Sequence, residues 1–139
     1  MTSACLAQQA QNDAMVDALL REILVGLKHF AATGDSVSID LGGLPMSGRD
    51  RAALDVFLDA GEVRATIETV GRSEVWETRF SGVWRVRHFA DDQIAVDLIE
   101  IAACPKILSA DQRDAQGSAR RLEEALDEKI AKTEISHET

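Results

Sequence analysis

Glu74-Val-Trp-Glu-Thr-Arg-Phe-Ser-Gly-Val-Trp-Arg-Val-Arg-His-Phe89 holds both tryptophans, two of the four phenylalanines and one of the three histidines of the chain. Large apolar and charged residues alternate through it, the period of a strand with one wet face and one dry face. Ser81-Gly82 divides the stretch into two strands joined by a hairpin. A three-residue loop sets Phe80 opposite Trp84, Thr78 opposite Val86 and Trp76 opposite His88. Both tryptophans then share the dry face.

The period of two extends outward from Glu62 to Cys104. It predicts strands over about 62–70, 74–80, 83–89 and 93–103, with turns at Gly71-Arg72, Ser81-Gly82 and Ala90-Asp91-Asp92. Connections this short allow only an antiparallel meander. In this register one face collects Val63, Ala65, Ile67, Trp76, Phe80, Trp84, Val86, Ile94, Val96 and Leu98. The other collects Arg64, Glu68, Glu77, Arg79, Arg85, Arg87 and Asp97, with Glu77 opposite Arg87 and Arg85 opposite Asp97. The apolar face requires a cover of helices.

Helical periods flank this region. Val16, Leu19, Leu20, Ile23, Leu24, Leu27, Phe30 and Ala31 recur at spacings of three and four, an amphipathic helix capped by Asn12 and stopped at Thr33-Gly34-Asp35. Val37, Ile39 and Leu41 alternate with polar residues as a short strand. Ser47-Gly-Arg-Asp50 reads as a capping box before a second helix with Leu54, Phe57 and Leu58 on its apolar face and Gly61 as its stop. A last helix begins at Ser109, with Ala115, Ala119, Leu122, Leu126 and Ile130 as a thin stripe and Gly117-Ser118 as a point of interruption. That stripe suits docking on the sheet, or on a second copy in a homodimer. Residues 1–11 and 133–139 read as loose polar ends. The whole, residues 1–139, is expected to be a single α+β domain. Its core element is a four- to five-stranded antiparallel meander with helices covering one face.

Bulk properties exclude several classes of function. A net charge of −9 and a pI near 4.7 oppose binding to nucleic acid or to an anionic membrane surface. No apolar run reaches the roughly 20 residues needed to cross a bilayer, and the first residues lack the basic start and apolar run of a signal peptide. The expected location is cytoplasmic. Cys5 and Cys104 show no metal-ligand spacing. Cys104 ends an apolar strand and reads as a small buried hydrophobe, with a single disulfide as the alternative.

Few residues invite chemistry. His88 needs a partner and a nucleophile to act as a general base, and the sequence offers no Gly-x-Ser-x-Gly and no reactive-cysteine context. A histidine at the edge of the core is the plainer reading. Glu100 interrupts the apolar run Ile94–Ala103, so it must be paired, at a sheet end, or functional. Glu77 or Glu100 together with His88 defines the enzymatic or small-molecule alternative. Gly42-Gly43 lacks the lysine and spacing of a phosphate loop. Leu44-Pro45-Met46 suits protein recognition if exposed; packing onto the core is the equal alternative. No cofactor or metal is expected.

Taken in order, Ile39-Asp-Leu-Gly-Gly-Leu-Pro-Met-Ser47, Gly61-Glu-Val63, Trp76-Glu-Thr78, Gly82-Val-Trp84, His88, Ile99-Glu-Ile101 and Pro105 resemble the C-terminal conserved domain of the HupH/HyaF/HoxQ hydrogenase expression and formation proteins. The resemblance spans about Ile39–Leu108. Family members often place proline where Ser81 stands, an aromatic where Arg85 stands and Val-Pro where Cys104-Pro105 stands. Longer members also carry an additional N-terminal region, and this chain is expected to be a single-domain version. The resemblance implies a non-enzymatic accessory role in assembling uptake nickel–iron hydrogenase. Its expected partners are a hydrogenase subunit precursor, the small iron–sulfur subunit, and other maturation proteins. By match to the motif, Leu44, Pro45, Met46, Glu77, His88 and Glu100 form the expected protein-binding set, with Thr78 and Trp84 in structural roles.

Overall fold

Five antiparallel strands form one sheet in the order β1-β5-β4-β3-β2. They are β1 (Val37–Asp40), β2 (Arg64–Thr69), β3 (Gly71–Glu77), β4 (Val83–Ala90) and β5 (Gln93–Ile101). The computed structural model describes residues 2–137, without the side chains of residues 5–13. Strands β2 to β5 make the expected meander, and β1 adds to the free edge of β5. The α+β class and the helices on one face match the sequence expectation. Contacts divide the chain into one unit up to Pro105 and another from Lys106 on.

In the first unit, helix α1 (Ser3–Thr33) begins well before Asn12, the cap read from the sequence. It ends as expected, with left-handed Gly34 donating its N–H to the Phe30 carbonyl oxygen at 2.8 Å. Gly26 lets it lie close to β5: a Cβ there would sit 2.7 Å from Ile101 Cδ1. A 3₁₀ turn over Leu41–Gly43 leads into the Leu44–Met46 loop and α2 (Gly48–Leu58). The capping box is present, with Asp50 N–H donating to Ser47 Oγ and Ser47 N–H donating to Asp50 Oδ2, each at 3.1 Å. Helix α2 stops at Leu58 with Asp59, at a positive φ of 53°, as its cap, not at Gly61. Gly61 instead abuts β3: a Cβ there would lie 2.8 Å from the Thr78 carbonyl oxygen.

The β3–β4 hairpin departs from the predicted register. Trp76 pairs with Arg85, Glu77 with Trp84 and Ser73 with His88. The Thr78 N–H still donates to the Val83 carbonyl oxygen at 2.9 Å, so Arg79–Gly82 form a four-residue loop rather than one of three. This changes the parity of β3 alone. Strands β4 and β5 keep the expected partition into faces, but the register is shifted by two: Arg87 stands opposite Asp97, where Arg85 was expected, and Arg85 stands opposite Ile99. The turn before β3 is also tighter than predicted, since Thr69 pairs with Gly71 and only Val70 lies between them.

The consequence is large because paired residues share a face. Trp76 joins Arg64, Arg85, Arg87 and Asp97; Val75 stands opposite Val86, where Thr78 was expected, and the two tryptophans stand on opposite faces. Helices α1 and α2 cover the side predicted to be ionic. That side is apolar at one end, where Ile39, Val83, Ile99 and Ile101 meet Leu19 and Ile23 of α1 and Leu54 and Leu58 of α2. Its other end holds the charges. The opposite face carries Ala65, Ile67, Trp84, Val86, Val96 and Leu98, the greater part of the set read as dry.

In the second unit, a 3₁₀ turn (Lys106–Leu108) precedes α3 (Gln112–His137). The start of α3 is marked by Asp111, whose Oδ1 accepts from Arg113 N–H at 2.7 Å, while Ser109 closes the preceding turn. The helix runs through Gly117-Ser118 and on through residues read as a loose tail, and none of its residues is buried. Cys104, expected inside, is free and exposed three residues beyond β5; the side chain of Cys5 lies outside the described residues.

Candidate functional site

The expected binding residues fall into two groups on opposite sides of the sheet. In the first, Asp40 Oδ1 accepts from Gly42 N–H at 2.9 Å, and the Leu44 N–H closes the 3₁₀ turn onto the Leu41 carbonyl oxygen at 3.2 Å. Met46 N–H then donates to the Leu44 carbonyl oxygen at 2.8 Å. Leu44 and Met46 pack against the α1–α2 core while Pro45 is exposed. The loop therefore anchors α2 as well as presenting a rigid proline to solvent.

Glu77 and Glu100 both pair with Trp84, one from each neighbouring strand, so the three side chains form one row on the face away from α1 and α2. Trp84 is fixed by donating Nε1–H to the Ala102 carbonyl oxygen at 3.1 Å. Glu77 Oε2 accepts from Gly82 N–H at 3.3 Å and so braces the hairpin loop. The buried Thr78 does the same from the other side, with its Oγ1 accepting from Phe80 N–H at 3.2 Å. His88 shares this face, hydrogen-bonded through Nδ1 to Ser73 Oγ on the adjacent strand. It stands four residues along β4 from Trp84, about 13 Å at strand spacing. The structure brings the two glutamates to one tryptophan but places the histidine apart from both, and away from Trp76.

Among the described residues, the densest polar cluster lies between α2 and the sheet, at positions the sequence does not mark as a site. Arg85 and Asp97 are each 1% exposed. Asp97 accepts from Arg85 Nη2 and Arg87 Nε at 3.3 Å, and from Arg51 Nη1 at 3.4 Å. Asp55 on α2 accepts from Arg85 Nη1 at 2.7 Å and from Arg87 Nη2 at 3.0 and 3.1 Å. Trp76, 9% exposed, receives the guanidinium groups of Arg64, Arg85 and Arg87 at 5.4, 5.6 and 5.1 Å from its ring centroid. Weakly hydrated, planar guanidinium groups suit such stacking.

This cluster fastens α2 to the sheet. Burial by itself lowers the pKa of Arg87, but the charges of Asp97 and Asp55 and hydrogen bonds to both outweigh it, and the net direction is upward. Arg87 stays cationic. Arg85 Nε is buried without a hydrogen-bond acceptor, so Arg85 is held by its Nη groups and the tryptophan ring. The sequence did carry a signal for the arrangement: Arg51 and Asp55 lie four apart on one helix face, opposite in sign to Asp97 and Arg85 across from them.

The sequence and fold resemble those of known proteins. Residues 14–129 match the family model described as HupH hydrogenase expression protein, C-terminal conserved region, and the chain belongs to that family. It is 33% identical over 98 residues to the hydrogenase expression/formation protein HupQ of Azotobacter chroococcum mcd 1, covering 70% of this chain and 34% of that protein. It is 29% identical over 109 residues to the hydrogenase-1 operon protein HyaF of Escherichia coli K12, covering 76% of this chain and 38% of that protein. The chain thus spans about a third of the length of these curated relatives. The solved structure of the hydrogenase expression protein HupH from Thiobacillus denitrificans superposes with a TM-score of 0.77 at 32% identity, covering 81% of this chain and 95% of that one. Among the described residues, no helix is long and apolar enough to cross a membrane.

Proposed function

We propose that this chain is an accessory protein in the maturation of uptake nickel–iron hydrogenase, acting in the cytoplasm by non-covalent binding of an immature subunit. The observation that carries the reading is the family match over residues 14–129, which takes in the whole sheet, the Leu44–Met46 loop and the row around Trp84. The client is the small, iron–sulfur-bearing subunit precursor, held together with other maturation proteins. Catalysis is not needed for this role. The alternative, an enzyme or small-molecule binder using His88 with Glu77 or Glu100, is disfavoured by the four-residue separation along β4 and by the engagement of His88 with Ser73.

Pro45 is the part of the loop that reaches solvent, and it belongs to the proposed client surface, as do Glu77 and Glu100 on the other face. Tagged chain recovered from cells expressing the full hydrogenase system should bring down the small-subunit precursor. Pro45→Asp should weaken that capture several-fold while leaving the melting temperature within a few degrees, since the residue is exposed. Undiminished capture by the variant removes the loop from the surface; absence of any hydrogenase subunit with the unmodified chain removes the client assignment.

A further inference from the structure

The first unit has an apolar groove of about 410 Å³ that none of the residues discussed above explains. One wall is α1, through Leu20, Leu24 and Leu27; the other is Phe57 at the end of α2 and Phe80 in the β3–β4 loop. Leu24 is 49% exposed, Phe57 46% and Phe80 36%. Leaving three large apolar side chains this wet forgoes burial free energy of roughly 25 cal/mol per Å², and such patches mark contact surfaces.

The rim is ordered too. Phe57 and Phe80 stack at 6.1 Å between centroids, and the Arg79 guanidinium lies 5.0 and 4.6 Å over the two rings. Arg79 donates Nε–H to the Phe57 carbonyl oxygen at 2.8 Å. Among the described residues no carboxylate pairs with it, so its Nη groups remain available as donors. On the α1 wall, Asp17 and Arg21 are four apart and balance each other. The net charge presented to an occupant is therefore the positive charge of Arg79.

We infer that this groove receives an amphipathic helix of the client, with leucine-sized side chains at i, i+4 and i+7 and a carboxylate on the flank that meets Arg79. The inference rests on the client reading above. Three features favour a helix of stated charge. Leu20, Leu24 and Leu27 repeat at helical spacing, and the wall from Asp17 to Leu27 is about 15 Å long, close to three helical turns. The walls offer side chains and no free strand edge, so an occupant must satisfy its own backbone hydrogen bonds. The free Nη donors of Arg79, locked in plane by two rings, match a carboxylate in a bidentate pair.

The test uses the full chain and overlapping peptides of about 20 residues, long enough to form a helix on binding, that tile the precursors of both hydrogenase subunits. Binding is read by fluorescence anisotropy. At least one peptide with the stated pattern should bind. Leu24→Glu should weaken it by about 30-fold and Arg79→Glu by about tenfold, while Glu68→Ala on the exposed edge strand leaves it unchanged. Both groove positions are exposed, so unaltered melting temperatures establish that the variants fold. No bound peptide, or a bound peptide indifferent to both groove substitutions, overturns the inference. So does a dimer of the chain that Leu24→Glu dissolves, which gives the groove to a second copy. Capture of an intact precursor without any peptide binding keeps the client and discards the groove.

Discussion

Asp97 accepts hydrogen bonds from Arg51, Arg85 and Arg87 while almost wholly removed from water. Its removal strands Arg85, which is equally buried, with only Asp55 as counter-charge. Breaking a buried pair in this way costs about 3–5 kcal/mol. Asp97→Ala should therefore lower stability by that order in urea unfolding, well beyond the effect of Glu68→Ala on the exposed edge strand. Equal losses would contradict the buried cluster. The charges themselves were plain in the sequence, and so was the affinity of Arg85 for Asp97. Their burial was not, because alternation assigns residues to two faces without saying which face the helices cover. Charged residues on a covered face are rare unless paired, and the pairing partners Arg51 and Asp55 come from a different element, distant in sequence.

Helix α2 and the hairpin loop show what local sequence does and does not specify. Ser47 and Asp50 are three residues apart and form the capping box as read, since both partners are local. Ser47→Ala should cost about 1 kcal/mol in the same unfolding measurement. The β3–β4 register differs from the one the sequence predicts because Arg79–Gly82 span four residues, with Thr78 and Glu77 side chains bonding into the loop. One residue of loop length reverses the parity of β3 and carries Trp76 to the other side. Gly61 was read as a helix stop from its position alone, yet its role is tertiary: it lies against the Thr78 carbonyl oxygen. Gly61→Ala should destabilise the fold by about 1–3 kcal/mol through overpacking against backbone. A neutral or stabilising effect would show that the site admits a Cβ and that only the lower entropy of the unfolded chain is felt.

Across the whole molecule, the net charge of −9 responds to salt whereas the buried arginine–aspartate cluster scarcely does. Screening relieves repulsion among surface carboxylates and scarcely reaches buried pairs. The melting temperature should rise by a few degrees between low and about 0.3 M salt; a fall would show that the cluster is open to solvent. The fold class, the meander and the family resemblance were legible because they rest on strand period, turn spacing and motif order. The apolar groove was not, since Leu24, Phe57 and Phe80 each read as ordinary core residues until the packing left them exposed.

Calorimetric titration of the purified chain with the small-subunit precursor, and separately with the mature cluster-loaded subunit and the large-subunit precursor, decides whether the chain holds an immature small subunit. Saturable one-to-one binding to the small-subunit precursor is expected, at least about tenfold tighter than to either of the others. Equal affinity for mature and immature forms, or preference for the large subunit, would rule out the small-subunit precursor as the client.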